Sequence, residues 1–115
     1  DTDFTAKLVD VAPDGYAVNL CDGIIRGRYR DSSSKKELLE PGQIYEFTID
    51  LWVTSNVFLK GHSIRMDISS SNYPRFDRNP NTGNAFGRDS EVRIAHQKIF
   101  HTSKHKSQII LPVIP

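Results

Sequence analysis

Alternation with a period of two runs through nearly all of this 115-residue chain, and it restricts the fold more than any other feature. Successive side chains of an extended strand point to opposite faces, so apolar–polar alternation marks a strand with one face buried. In FTAKLVD, Phe4, Ala6 and Leu8 alternate with Thr5, Lys7 and Val9. In YAVNL, Tyr16, Val18 and Leu20 share a face. IIRGRYR sets Ile25, Gly27 and Tyr29 against Arg26, Arg28 and Arg30, which predicts a strongly basic strand face. The pattern is cleanest in IYEFTIDL, where Tyr45, Phe47, Ile49 and Leu51 oppose Glu46, Thr48 and Asp50. SIRMDIS directs Ile64, Met66 and Ile68 inward, and VRIAHQKIF and SQIILPVI continue the series. Pro112 and Pro115 in the closing segment suit an edge strand or a strand end.

The punctuation agrees with strands. Pro13-Asp14-Gly15 reads as a turn, and Asp22-Gly23 as a two-residue hairpin turn returning YAVNL into IIRGRYR. Glu40-Pro41-Gly42-Gln43 has type II turn composition, Lys60-Gly61 marks a bend, and residues 31–40 read as a polar surface connection. About seven or eight strands with no helical pattern predict an all-β fold, an antiparallel sandwich, with a jelly roll as the natural way to pack eight. A chain of this length fits one domain, 1–115, and is expected to bury roughly two-thirds of its unfolded surface. The hydrophobic fraction of 37% and charged fraction of 25% are those of a globular chain. The net charge of +1 gives no bulk-charge argument for a nucleic-acid or membrane partner. No apolar run approaches the roughly 20 residues of a membrane span. Cys21 is the sole cysteine, so the fold rests on packing rather than an internal disulfide, which is compatible with a reducing compartment. The chain opens at Asp1 in mid-pattern, which reads as a piece of a longer protein.

Chemistry is scarce. Gly61-His62-Ser63 begins like a nucleophile elbow, but Arg65 replaces the required second glycine and the segment leads into a strand rather than a helix. His101 and His105 share a face only on a helix, and HTSKH lies between strand patterns, so a solvated turn is expected there. His96 reads as a sheet-face residue and Cys21 as a small, partly buried one without a partner base. Asp67 and Asp77 have arginines close in sequence and read as ion-paired structural carboxylates. There is no phosphate-cradling glycine loop and no Cys/His zinc spacing, so neither a catalytic residue nor a cofactor is expected.

The alternation stops at SSSNYPRFDRNPNTG, residues 69–83. Tyr73-Pro74 and Asn79-Pro80 hold the residues before each proline extended, and an aromatic before proline raises the share of cis at Tyr73-Pro74, trans remaining the default. Asn and Asp side chains can lock a loop onto local backbone. Arg75 and Arg78 suit bidentate contacts. A rigid, polar, projecting loop fits a docking surface; a self-packed loop that closes the end of the sandwich fits equally.

The stretch LEPGQIYEFTIDLWVTSNVFLKGHSIRMDISSSNYPRFDRNPNTG resembles the C-terminal domain of the X-prolyl dipeptidyl-peptidase, cocaine esterase and α-amino-acid ester hydrolase group of serine hydrolases. DTDFTAKLVDVAPDGYAVNLCDGIIRGRYR and IILPVIP are similar to the ends of the same domain. The resemblance implies a galactose-binding-domain-like jelly roll, the non-catalytic part of an enzyme whose upstream α/β-hydrolase domain carries a Ser-His-Asp triad beneath a helical cap. It implies that the loop meets the catalytic and cap domains of the same parent chain, through Asn72, Tyr73, Arg75, Phe76, Asp77, Arg78 and Asn79, with Trp52 as an apolar anchor. It also suggests a microbial source and a cytoplasmic setting, and self-association of an excised domain through its uncovered docking face. Two readings compete with it. One is a carbohydrate-binding module that stacks sugars on Trp52, Tyr73 and Phe76; the other is a free-standing enzyme, for which no triad or metal site is found.

Overall fold

In the computed structural model, residues 1–114 are described; Pro115, which the sequence assigns to a strand end, lies outside them. Three strands form one antiparallel sheet: β1 (Asp3–Val11), β2 (Ala17–Arg26) and β3 (Ser63–Ser69), in spatial order β2-β1-β3. A single 3₁₀ turn, Gly27–Tyr29, follows β2. Among the described residues there is no α-helix, and no helix is long and apolar enough to cross a membrane.

β1 is central because it pairs on both edges. Ala6 lies beside Gly23 and Ile68, and Leu8 beside Cys21 and Met66. Register partners project to the same side of a sheet. Phe4, Ala6, Leu8, Ile25, Met66 and Ile68 therefore make one apolar face, while Asp3, Thr5, Lys7, Arg26, Asp67 and Ser69 make a polar one. Both faces of β1 are covered, so its buried residues include Asp3 and Thr5 as well as Ala6, Leu8 and Val9.

The strand expectations for β1 and β3 hold, and β3 matches SIRMDIS residue for residue. The turns at Gly15, Gly42 and Gly61 are also present, each glycine at positive φ, with Gln43 N–H donating to Glu40 C=O at 3.2 Å and His62 N–H to Leu59 C=O at 3.0 Å. The Tyr73-Pro74 bond is cis, against the trans default.

Four expectations are corrected. Asp22-Gly23 is not a hairpin turn: β2 runs straight through it, paired to Lys7 and Ala6. The β1–β2 hairpin turns instead at Pro13-Asp14-Gly15, where Ala12 N–H donates to Tyr16 C=O at 2.8 Å. Gly23 is needed inside the strand because a Cβ there would collide with the main-chain carbonyl oxygen of Asp50. The basic face of IIRGRYR does not form, because the strand ends at Arg26 and each arginine finds its own acidic or aromatic partner. Ile64 and Ile68 are not packed inward but stay exposed, since little lies over the outer strand β3.

The fourth correction concerns strand number. Segments 44–51, 92–100 and 107–114 belong to no ladder, so the described sheet has three strands rather than seven or eight. Residues 45–51 nevertheless keep their alternation, with Tyr45, Phe47, Ile49 and Leu51 half-buried and Glu46, Thr48 and Asp50 exposed. This segment lies on the apolar sheet face without a ladder: the Phe4 and Phe47 ring centroids are 4.6 Å apart, and the Asp50 main-chain carbonyl packs against Gly23. Such a pair contributes about 0.5–1.5 kcal/mol beyond its buried area. Without a ladder the core stays small. The exposed surface is 9047 Å², close to half of the roughly 18,900 Å² an unfolded chain of this mass exposes, so the expected two-thirds burial is not reached.

Candidate functional site: the loop on the polar sheet face

Loop 72–86 covers the polar face of the sheet, and acidic residues on β1 and β2 hold it there. Asp22, buried on β2, accepts from Asn72 Nδ2 at 2.8 Å and pairs with Arg75 Nε at 3.1 Å. Asn79 Nδ2 donates to Asp3 Oδ1 at 2.7 Å and to Asp1 Oδ2 at 3.1 Å, while its Oδ1 accepts from Asn81 N–H at 2.9 Å. Arg28, 3% exposed, donates to Asp1 Oδ2 at 2.7 Å and through Nη1 to Asn84 C=O at 2.8 Å. Arg26 pairs with Asp3 at 3.2 Å and lies 3.4 Å from the Phe86 ring centroid. Buried charges persist only when paired and hydrogen-bonded in this way.

The residues predicted to dock divide into two groups. Asn72, Phe76 and Asn79 are half-buried and turn toward their own sheet; the Phe76 N–H closes the turn on Asn72 C=O at 3.2 Å. Tyr73, Arg75, Asp77 and Arg78 are exposed, Tyr73 at 61%. The Arg78 guanidinium lies 4.5 Å from the Tyr73 ring centroid, and that of Arg75 lies 5.5 Å from Phe76. One face of each ring is thus already occupied by a cation. Self-packing and projection are both present, on different residues of the same loop.

Trp52 stands apart, 80% exposed at a positive φ of 65°, its N–H tied to Asp50 Oδ1 at 2.8 Å. It borders a recess that it shares with Cys21, Asp22 and Arg75, so it adjoins the loop without stacking on it. A second recess, of about 490 Å³, is lined by Ile24, Arg26, Tyr29, Arg75, Phe76 and Asp77. Burial pushes the Cys21 thiol up, and the neighbouring Asp22 carboxylate adds to the effect, which keeps it protonated and weakly reactive.

Elsewhere His62 Nδ1 meets Asp10 Oδ1 at 2.8 Å, tying the turn before β3 to the end of β1. His105 sits in the turn expected of it, its N–H donating to Thr102 Oγ1 at 3.0 Å. Of the two carboxylates expected to be ion-paired, Asp67 pairs with Arg65 at 2.9 Å, whereas Asp77 is exposed and has no ion pair among the described residues. Among the described residues no group of His, Cys, Asp and Glu is arranged to hold a metal ion.

The sequence reading missed Asp22, Asp3, Arg28 and Phe86, which anchor the loop. No local signal argued against a turn: the alternation changes phase between Leu20 and Ile25, and the structure takes up that shift in a β-bulge opposite Leu8 and Val9. Asp22-Gly23 marks the point where β2 meets segment 49–50 on one face, at Gly23, and the loop on the other, at Asp22.

Residues 1–110 match the model of the X-Pro dipeptidyl-peptidase C-terminal non-catalytic domain, and the chain belongs to that family. It is 53% identical over 116 residues to a cocaine esterase from Rhodococcus sp. (strain MB1 Bresler), covering 99% of this chain and 20% of that protein.

Proposed function

We propose that this chain is the non-catalytic C-terminal domain of a serine hydrolase, completing a galactose-binding-domain-like jelly roll and docking on the catalytic and cap domains of its own parent. The parent attacks an ester or X-Pro peptide carbonyl with a serine activated by histidine, the oxyanion being held by preorganised donors. The observation that carries the reading is the division of the loop. Asn72 and Asn79, with Arg75 on Asp22, fix it to the sheet, leaving Tyr73, Asp77 and Arg78 on its outer side. Preorganised aromatic and arginine side chains are the commonest anchors of a protein interface.

The test is Arg78→Ala in the full-length enzyme. Arg78 is exposed and touches Tyr73 of its own loop, so within the domain the change costs no more than about 0.5 kcal/mol. Docking through Arg78 predicts a larger loss, about 1–2 kcal/mol, read as a lower melting temperature and faster loss of activity. Melting and kinetics identical to the unmodified enzyme would overturn the docking role. A fluorophosphonate probe labelling one serine outside these residues supports the hydrolase assignment; no labelled serine removes it.

A further inference from the structure

Among the described residues, two other than glycine hold a positive φ: Trp52 at 65° and Asn81 at 62°. Each closes the same kind of turn. Asn81 N–H donates to Asn79 Oδ1 at 2.9 Å, and Trp52 N–H donates to Asp50 Oδ1 at 2.8 Å. Asparagine enters the left-handed region readily, whereas a bulky aromatic does so only under constraint. Glycine or asparagine would make the turn at residue 52 with less strain. Burial does not account for the tryptophan either. The residue is 80% exposed, and Val53 beside it is 95% exposed. Nothing among the described residues stacks on its ring or accepts from its indole N–H.

A strained residue persists where its surroundings over-determine it, and such positions gather where something binds. The surroundings of Trp52 point the same way. Segment 45–51 comes in across the apolar face of the sheet, and loop 72–86 across the polar face. They meet at β2, an edge strand. There a recess of about 280 Å³ lies between Trp52 and Arg75, with Cys21 and Asp22 in its wall. The tryptophan thus continues the surface that the loop presents, a knob with a hole beside it. Tryptophan is among the side chains that dominate protein interfaces, because it buries a large rigid area for little lost side-chain freedom.

We infer that Trp52 is the apolar anchor of the docking surface, that Asp50 positions it, and that its receptor is an apolar pocket on the parent's catalytic and cap domains with an oxygen to accept the indole N–H. The inference rests on the docking proposed above and names the chemistry of the partner. The positive φ at residue 52 then has a use, since it turns the indole out of the strand direction beside the recess. Asp50→Ala frees that turn. Asp50→Asn keeps an accepting oxygen at the same place and keeps the turn.

Hydroxyl-radical footprinting of the full-length gene product, read by mass spectrometry on the peptide holding Trp52, reports its cover directly. Docking predicts oxidation at least about tenfold slower than at a freely exposed tryptophan, unaffected by dilution. Trp52→Gly separates an anchor from a turn residue. Glycine relieves the positive φ, so a residue that serves the turn alone gives an equal or higher melting temperature. An anchor gives a lower one, with thermal inactivation at least about tenfold faster. Asp50→Ala reproduces part of that loss and Asp50→Asn does not; an Asp50→Ala enzyme as stable as the unmodified one removes the positioning role. Oxidation at the free rate, protection that falls on dilution, or a Trp52→Gly enzyme of undiminished stability overturns the anchor. Free oxidation of Trp52 alongside a destabilised Arg78→Ala enzyme would remove the anchor and leave the docked loop. A protected and required Trp52 alongside an unchanged Arg78→Ala enzyme would keep the anchor and remove the loop's role.

Discussion

The two covers of the sheet are built in opposite ways. On the polar face, loop 72–86 has no strand periodicity yet is tied down by directional bonds to Asp22, Asp3 and Asp1. On the apolar face, segment 45–51 has the best strand periodicity in the chain yet rests on packing, with no ladder. Alternation in a sequence therefore reports which side chains seek burial. It does not report where the main chain finds its hydrogen bonds, because the ladder partner can lie anywhere in the polypeptide. The irregular cover is specified by a few polar contacts within this chain, and the regular one waits on its neighbours.

The largest expected effect lies on the directional side. Arg28→Ala in the full-length protein strips Asp1 of its closest cationic partner and frees Asn84 C=O, with both ion-pair side chains almost wholly buried. Breaking a buried pair from one side costs about 3–5 kcal/mol. Urea unfolding of the variant should show that loss; a change below about 1 kcal/mol would mean that the clasp is solvated and the comparison overstated. Next is Gly23→Ala, which probes the other cover from the same strand. The new methyl meets the Asp50 carbonyl oxygen, so segment 49–50 must lift from β2. A cost of about 1–3 kcal/mol is expected, together with faster amide exchange confined to residues 45–51. Neutral stability would show that this segment is not seated on the sheet.

How much of this was legible follows from the same contrast. β1, β3, the turns at Gly15, Gly42 and Gly61, and the half-buried positions 45, 47, 49 and 51 could all be read, because each depends on local geometry or on one residue's own polarity. Asp22-Gly23 was misread because a hairpin turn and a close approach of two main chains both select glycine, and only the third dimension separates them. The arginines of IIRGRYR were misread as one face because their partners, Asp1, Asp3, Glu37 and Phe86, stand up to some 60 residues away in sequence. The break in periodicity at the loop and its many asparagines were legible, but its division into anchors and projecting residues was not. That division depends on which asparagines face Asp22 and Asp3.

Asn72→Ala sharpens the comparison at smaller scale. Asp22 would keep Arg75 but lose its neutral donor, and a buried carboxylate left short of one hydrogen bond costs about 1–2 kcal/mol. The double variant Asn72→Ala/Arg78→Ala in the full-length enzyme then separates anchoring from docking. If the loop acts as one rigid unit, the two losses fall short of additivity, because a loosened loop no longer presents Arg78. Strict additivity would mean that the projecting residues hold their positions without the anchors.

The smallest effect is a pH dependence at the loop's far end. Thr82 Oγ1 donates to Asp89 Oδ2, with Asn84 Nδ2 at 2.9 Å and Glu91 N–H on Oδ1 at 3.0 Å; these bonds, the Thr82 hydroxyl foremost, and the charge of Arg93 hold the Asp89 carboxyl below its ordinary value. A depressed carboxylate stabilises the fold fully above its unfolded pKa of about 3.9 and loses that contribution as pH falls through the lower folded value. Acid should therefore release residues 82–91 only below pH ~4, followed by the Thr82 and Asp89 resonances in an NMR titration of the full-length protein or its smallest folded fragment. In Asp89→Asn that transition disappears, while the Asn79 side-chain amide, whose donor sits on Asp3 of β1, keeps its resonances at neutral pH. If the Asn79 resonances shift as well, the two ends of the loop are one cooperative unit, and the directional cover is as indivisible as a strand.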